Sequence, residues 1–426
     1  MKRALNDTQA LAPYFETESG GSGLDFPEQP TYQSVPAGVS ANWRLAQGRD
    51  ELIGARAQGA RLWDVSNREY VDYVCGLGTV LLGHANADVN AAVSAQLELG
   101  VQTAATHYRE IQLADELCAA MPGMDAVRFQ SNSTAAIQTA LRVARIATSR
   151  ELIIRFFGHQ HGNQSLGSAI VLPWNDTEAL NRTFTELGSS VAAVIVEPVM
   201  ANCGGFEPAP GFLSLIRQLC SAHQSVFILN ESITGLRIDF QGAIGKYLLT
   251  GNLGPDLVIC GEALGNGVPI GAIAGRSKLM ELLVSHAVEH SGTFSSNSIG
   301  IAAGLAVLSR LRLAGQRAYQ SLNTRGRSLM AELERIGREV GTPVVARGPG
   351  PVFWIDLAAH PLAIPTADAP FMEHSRYTRF RRGMLSRGVR IMPEGAWYLS
   401  TEHSDGDIEF TLRMARAALV EVGASA

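Results

Sequence analysis

Three continuous apolar runs constrain this chain more than any other feature: Val191-Ala192-Ala193-Val194-Ile195-Val196, Val226-Phe227-Ile228-Leu229 and Leu257-Val258-Ile259-Cys260. A strand with one wet face alternates polar and apolar residues. These runs are apolar throughout and rich in β-branched side chains, as a strand buried on both faces of a parallel sheet requires. Helical stretches accompany them, Phe212 to Ala222 between runs and Ala135 to Thr148 earlier. Such alternation predicts an α/β fold with a mainly parallel central sheet and helices on both faces. After about residue 315 the pattern changes to a charged amphipathic helix, Thr324 to Val340, and short strands around Val352 to Leu357, reached through a long helix from Asn297 to Leu313. Three parts are therefore expected. Residues 1–75 form an N-terminal arm and a segment packing with the small domain, 76–315 a large α/β domain, and 316–426 a small α+β C-terminal domain. Residues 1 to about 35 are polar and broken by Gly20-Gly21-Ser22-Gly23 and several prolines, which suits a loose or surface-laid arm.

Size and charge narrow the function. A chain of 426 residues with 46% hydrophobic content can bury one large core and a smaller one. A net charge of −5 leaves no global basic field, so no nucleic-acid partner is expected. The five cysteines, Cys75, Cys118, Cys203, Cys220 and Cys260, are odd in number and lack metal-type spacing. They predict a reduced, cytoplasmic protein without a disulfide framework, and no metal site is expected. The start, Met1-Lys2-Arg3-Ala4-Leu5-Asn6-Asp7, lacks the apolar stretch of a signal peptide, and no apolar run approaches membrane-spanning length, so no membrane is expected.

Ligands of open α/β sheets sit at the carboxyl ends of the strands. Here Glu197 follows the first apolar run, Asn230-Glu231-Ser232 the second and Glu262 the third. Gln160-His161-Gly162 lie beyond Leu152 to Phe156, and Asn132-Ser133-Thr134 open a helix whose free amides favour an anion. Each residue alone reads first as a helix cap or a turn. Five segments converging on one rim read as a crevice for a small-molecule substrate. Glu197, Glu231, Glu262 and His161 are expected to share it. Crowded carboxylates raise at least one pKa, which makes a general acid at neutral pH, with His161, ordinarily titrating near neutrality, as its partner.

Longer motifs carry a resemblance. They are Leu81-Leu82-Gly83-His84, Val127-Arg128-Phe129 with Asn132-Ser133-Thr134-Ala135-Ala136, Phe157-Gly158-His159-Gln160-His161-Gly162, Ile228-Leu229-Asn230-Glu231-Ser232-Ile233-Thr234-Gly235-Leu236-Arg237, the stretch Pro255 to Gly267, and Gly292-Thr293-Phe294. Over residues from about 36 to 424 the chain resembles class III aminotransferases, the pyridoxal-phosphate (PLP) enzymes that include glutamate-1-semialdehyde aminomutase. The resemblance implies the fold-type I PLP-dependent transferase architecture and a homodimer with active sites at the subunit interface. It implies that Ser133 and Thr134 belong to the phosphate loop and that Thr293 reaches the cofactor phosphate of the neighbouring subunit. It sets Gln160 where an aromatic residue stacks on the pyridine ring, Asn230 where an aspartate pairs with the ring nitrogen, and Ser232 where an apolar residue packs the other ring face. Glu262 stands where a lysine forms an imine with PLP. Arg44 sits where the aminomutase branch holds a substrate carboxylate, although a loop arginine also reads as solvent-facing.

Four departures around one ring imply a pocket rebuilt as polar. A carboxylate cannot form an imine, and a neutral amide does not keep a pyridine protonated. The expectation is an enzyme that works without a cofactor, in which Glu262, His161 and Glu231 catalyse isomerisation, elimination or cyclisation of a small polar or anionic metabolite. Two alternatives stand beside it. PLP or its amine form, pyridoxamine phosphate (PMP), binds without a covalent link, which the retained Thr134 and Thr293 favour; or the chain is a non-catalytic partner of an active relative. Glu262 is either the proton-transfer group or a residue filling a vacated lysine site. Glu197 and Glu231, which match glutamates of the family, also read as holding loops and the subunit interface.

Overall fold

In the computed structural model, which describes residues 40, 52–162, 164–247, 249, 251–357, 364 and 374–424, the three apolar runs become adjacent strands. The first elements are β1 (Gly54–Gln58), β2 (Arg61–Asp64), β3 (Glu69–Asp72), α1 (Ala87–Leu99) and α2 (Tyr108–Ala120). Next come β4 (Ala126–Gln130), α3 (Ser133–Thr148), β5 (Leu152–Phe156), β6 (Ala169–Leu172), α4 (Thr177–Leu187), β7 (Val191–Val196), α5 (Phe212–His223) and β8 (Val226–Glu231). They are followed by α6 (Gly242–Lys246), β9 (Leu257–Cys260), a 3-10 turn at Glu262–Gly265, β10 (Gly271–Gly275), α7 (Ser277–Val284) and α8 (Ser298–Glu339). The last are β11 (Val345–Arg347), β12 (Val352–Asp356), α9 (His374–Leu385), β13 (Val389–Arg390), β14 (Ala396–Tyr398) and α10 (Asp405–Ala424).

Seven strands pair in the order β4-β10-β9-β8-β7-β5-β6. From β9 to β6 all neighbours are parallel, while β10 runs antiparallel to both β9 and β4. Every residue of β7, β8 and β9 is buried, which is why their sequences do not alternate. Alternate side chains feed two cores. Ile153, Ala193, Ile195 and Ile228 meet Ile137 and Leu141 of α3. On the opposite face Ile154, Val194, Phe227 and Leu229 share a core with Phe212 and Ile216 of α5. The start of α3 is fixed by Asn132, whose Oδ1 accepts the Ala135 amide at 2.9 Å.

A separate antiparallel sheet has the order β11-β12-β14, and β13 pairs parallel with β3 through Val389 and Val71. The two helices expected on either side of residue 315 are both present within α8 and meet at a kink at Gly315, where φ is 62° and ψ −163°. An 18-residue stretch of α8 has mean hydropathy 1.3, so by length and composition this helix could cross a membrane, contrary to the expectation that no run comes close. Half of that stretch is buried, and α8 packs on α1 and α2, as a core helix does. The chain divides into two units, Met1–Arg56 with Trp63–Glu69, and Ala57–Leu62 with Tyr70–Ala426. In the first, the Arg56 guanidinium lies 3.7 Å from the Trp63 ring centre. The seven-stranded sheet and the residues at its strand ends belong to the second.

Candidate active site

The carboxyl ends of β5, β7, β8 and β9 and the first turn of α3 meet on one rim, and two glycines set how closely they approach. A Cβ on Gly261, directly after β9, would fall 2.0 Å from the backbone oxygen of Ser232, so a side chain there forces the ends of β8 and β9 apart. Gly162, at φ +79°, would place a Cβ 2.7 Å from Thr134 Oγ1; its absence seats the loop after β5 against the start of α3.

Hydrogen bonds join these ends. Glu197, buried after β7, accepts the Gln160 amide through Oε2 at 2.7 Å, and its own amide donates to His159 Nδ1 at 3.0 Å. Asn230 Nδ2 donates to the Gln160 carbonyl at 2.9 Å and to His161 Nδ1 at 3.0 Å. Its Oδ1 accepts from Ser232 Oγ at 2.6 Å and from the Ser232 amide at 3.2 Å. That amide can only donate, which fixes the oxygen end of Asn230. Both imidazoles accept at Nδ1 and therefore carry their proton on Nε2. Each Nε2 is buried and, among the described residues, lacks a hydrogen-bond partner. At the opening of α3, Ser133 Oγ donates to Glu262 Oε1 at 2.6 Å, a short hydroxyl–carboxylate bond beside the helix's first turn.

Burial sets the protonation of this web. Desolvation, with the Arg155 charge adding to it, lowers His161 to a pKa of about 3. His159 falls well below its usual value, first through burial and then through His161 and Arg155. Both rings are neutral at physiological pH. This corrects the expectation that His161 titrates near neutrality: an imidazole 3% exposed is a neutral Nε2–H donor. Burial pushes Glu197 up to about 8, against the opposing Gln160 hydrogen bond.

Glu231 departs from the expected cluster. Successive strand residues point to opposite faces, so with Asn230 turned to His161, Glu231 turns away. Its carboxylate accepts the Ala243 amide at 2.8 Å and the Thr234 hydroxyl at 2.9 Å, and it borders a small cavity lined by Met121, Leu236, Cys260 and Leu264. Burial raises it to about 7, those hydrogen bonds opposing. The three carboxylates do not share one crevice.

Ser133, Thr134, Gln160, His161, Asn230, Ser232 and Glu262 do come together through these contacts. Gln160 is exposed. Thr293 is exposed, its carbonyl accepting from Gln102 Nε2, and among the described residues nothing ties it to the rim of its own chain. Arg44 lies outside the described residues. Two supporting residues escaped the sequence reading. Trp174 packs edge-on against His159 at 4.5 Å between ring centres, and the Tyr398 hydroxyl donates to Asn202 Oδ1 at 3.0 Å. No spacing announces either, because tertiary folding alone brings them in.

The donor set fits a ligand that bears an anionic group and does not fit a covalent anchor. The first turn of α3 and the Thr134 hydroxyl suit an anion, and His161 Nε2–H is an unspent neutral donor. Asn230 has given both amide hydrogens to the protein and has none for a ring nitrogen. Glu262 carries no nitrogen with which to attack a carbonyl carbon.

A family model for class-III aminotransferases matches residues 45–172 and 168–393. The glutamate-1-semialdehyde 2,1-aminomutase of Desulfitobacterium hafniense is 36% identical over 419 residues, covering 91% of this chain and 96% of its own. Among solved structures, an omega-transaminase from Sphaerobacter thermophilus matches with a TM-score of 0.83 at 28% identity, over 91% of this chain and 95% of that one. An alanine-for-lysine variant of a glutamate-1-semialdehyde aminomutase from Pseudomonas aeruginosa PAO1, in complex with PMP, matches in fold with a TM-score of 0.80 at 22% identity, over 91% of this chain and 92% of that one. The family match and the aminomutase relative overturn the expectation of a cofactor-free pocket, because members of this family work with PLP or PMP. The expectation rested on Gln160, Asn230, Ser232 and Glu262 alone, whereas Ser133 and Thr134 still stand at the opening of α3, where an anion is favoured. The architecture is that of fold-type I PLP-dependent transferases, and the chain belongs to the class-III aminotransferase family, in its glutamate-1-semialdehyde aminomutase-like branch.

Proposed function

We propose that this protein is an aminomutase-like enzyme that binds PLP or PMP without a covalent link and acts on a small metabolite bearing an amine or carbonyl and an anionic group. The observation that carries the proposal is the Ser133–Glu262 bond. The side chain that the resemblance aligns with the family's lysine is a carboxylate, turned onto the opening of α3. When bound, PLP or PMP supplies an electron-withdrawing ring beside the carbon that carries the amine or carbonyl. The first-turn amides of α3 and the Thr134 hydroxyl hold the anionic group. Asn230 locks the tautomer of His161, whose Nε2–H donates to an acceptor in the cleft. Glu262 holds or moves a proton at the reacting carbon through Oε2. We further propose a homodimer, in which Thr293 completes the partner's site.

The test is a titration of the purified protein with PLP and PMP, followed by absorbance, with borohydride reduction and mass spectrometry. Saturable binding is expected, with the bound group removed by gel filtration and no mass increment on the peptide containing Glu262. A reduced adduct on that peptide, or no saturable binding of either compound, sinks the proposal.

A further inference from the structure

Glu262 is half-buried and makes one hydrogen bond, from Ser133 to Oε1 at 2.6 Å. Among the described residues its Oε2 has no hydrogen-bond partner, and no lysine, arginine or histidine pairs with the carboxylate. The other rim groups in contact with this web are neutral donors or acceptors: the Ser133, Thr134 and Ser232 hydroxyls, the Asn230 and Gln160 amides, and His161 as a neutral ring. The remaining acids of the strand ends are engaged elsewhere, Glu197 with the Gln160 amide and Glu231 on the opposite face of the sheet. Among the described residues the rim therefore presents one carboxylate that no paired counter-charge meets. Partial desolvation of such a group is costly until a cation meets it.

Resting on the reading above that a pyridoxal-type phosphate binds here, we propose that Glu262 makes the cleft selective for the amine form: its carboxylate recognises a primary ammonium group, so the protein takes up PMP in preference to PLP. An ammonium brings three donors and a positive charge to Oε2, whereas an aldehyde brings only another acceptor. Ser133 acts as the positioning residue, holding Oε1 so that Oε2 is left for the ligand. A relative with a lysine at this place would have the opposite preference, since an ammonium of the protein repels an ammonium of the ligand and combines with an aldehyde.

The experiment compares dissociation constants for PMP, PLP and 4'-deoxypyridoxine 5'-phosphate, which keeps ring and phosphate but lacks the amine, by calorimetry on wild type, Glu262→Gln and Glu262→Ala, with thermal melts as the folding control. Wild type is expected to bind PMP at least about tenfold more tightly than the amine-less phosphate, equivalent to about 1.4 kcal/mol. Both variants should bring that ratio close to one, mainly by weakening PMP. Equal binding of the two phosphates by wild type, or a ratio that survives in the folded variants, overturns the role of Glu262 while non-covalent binding stands. If wild type binds none of the three, both readings fall.

Discussion

Asn230 spends its whole hydrogen-bonding capacity on its own chain, and that single carboxamide fixes the tautomer of His161 and the direction of Ser232. Strand ends in such sheets are predictable, and Ser133, Thr134, Gln160, His161, Asn230, Ser232 and Glu262 meet there, while Thr293 does not. The sequence misdirected Glu231, although a signal was available: counting by twos from Ile228 puts Asn230 on the α3 side and Glu231 with Phe227 and Leu229 on the other. The burial of His161 had no such signal, because the residue that meets it, Asn230, is distant in the chain. Glu197 yields a prediction at this scale. Its folded pKa of about 8 lies above the ordinary 4.5. Between those values the unfolded chain has released a proton that the folded chain retains. The stability contribution of neutral Glu197 is therefore full below about pH 4.5 and is lost as pH rises to about 8. Glu231, raised to about 7, acts in the same direction. Glu197→Gln keeps an oxygen for the Gln160 amide and removes the titration. Relative to wild type, the variant should gain on the order of 1–4 kcal/mol between about pH 5 and pH 8. Denaturant melts at both pH values read this; equal pH dependence in the two proteins would show that Glu197 does not keep its proton.

Among the elements, β7, β8 and β9 were legible because nothing but a doubly covered strand tolerates such runs. β10 was not: Gly271-Ala272-Ile273-Ala274-Gly275 says nothing about direction, and its antiparallel course follows from pairing with β4 and β9. The site depends on how tightly the ends of β8 and β9 abut. In Gly261→Ala the new methyl would lie 2.0 Å from the Ser232 oxygen and 2.2 Å from its Cα, both backbone atoms that cannot rotate away. The expected outcome is a loss of about 1–3 kcal/mol in stability together with weaker PMP binding. A variant that melts and binds like wild type would mean that the two strand ends separate freely.

At the scale of the whole molecule, α8 packs on both α1 and α2 yet Tyr108 stays 64%, Ile111 57% and Leu313 76% exposed. Large apolar side chains at this exposure fit a subunit contact. Sedimentation should find wild type as a dimer and Ile111→Asp shifted toward monomer, with dimer dissociation raised about tenfold or more. A wild type that stays monomeric at all concentrations removes the homodimer proposal. The break in α8 has a mechanical consequence. One half of the helix rests on α2, where Gly304 faces Leu113, and the other on the approach to β11, where Gly337 faces Val344. Among the described residues Gly315 has no neighbour within reach of a Cβ, and it sits where the helical ladder is already cut. A rod bends at its weakest section. The turn at that joint lets each half follow its own partner, so the two need not share one axis.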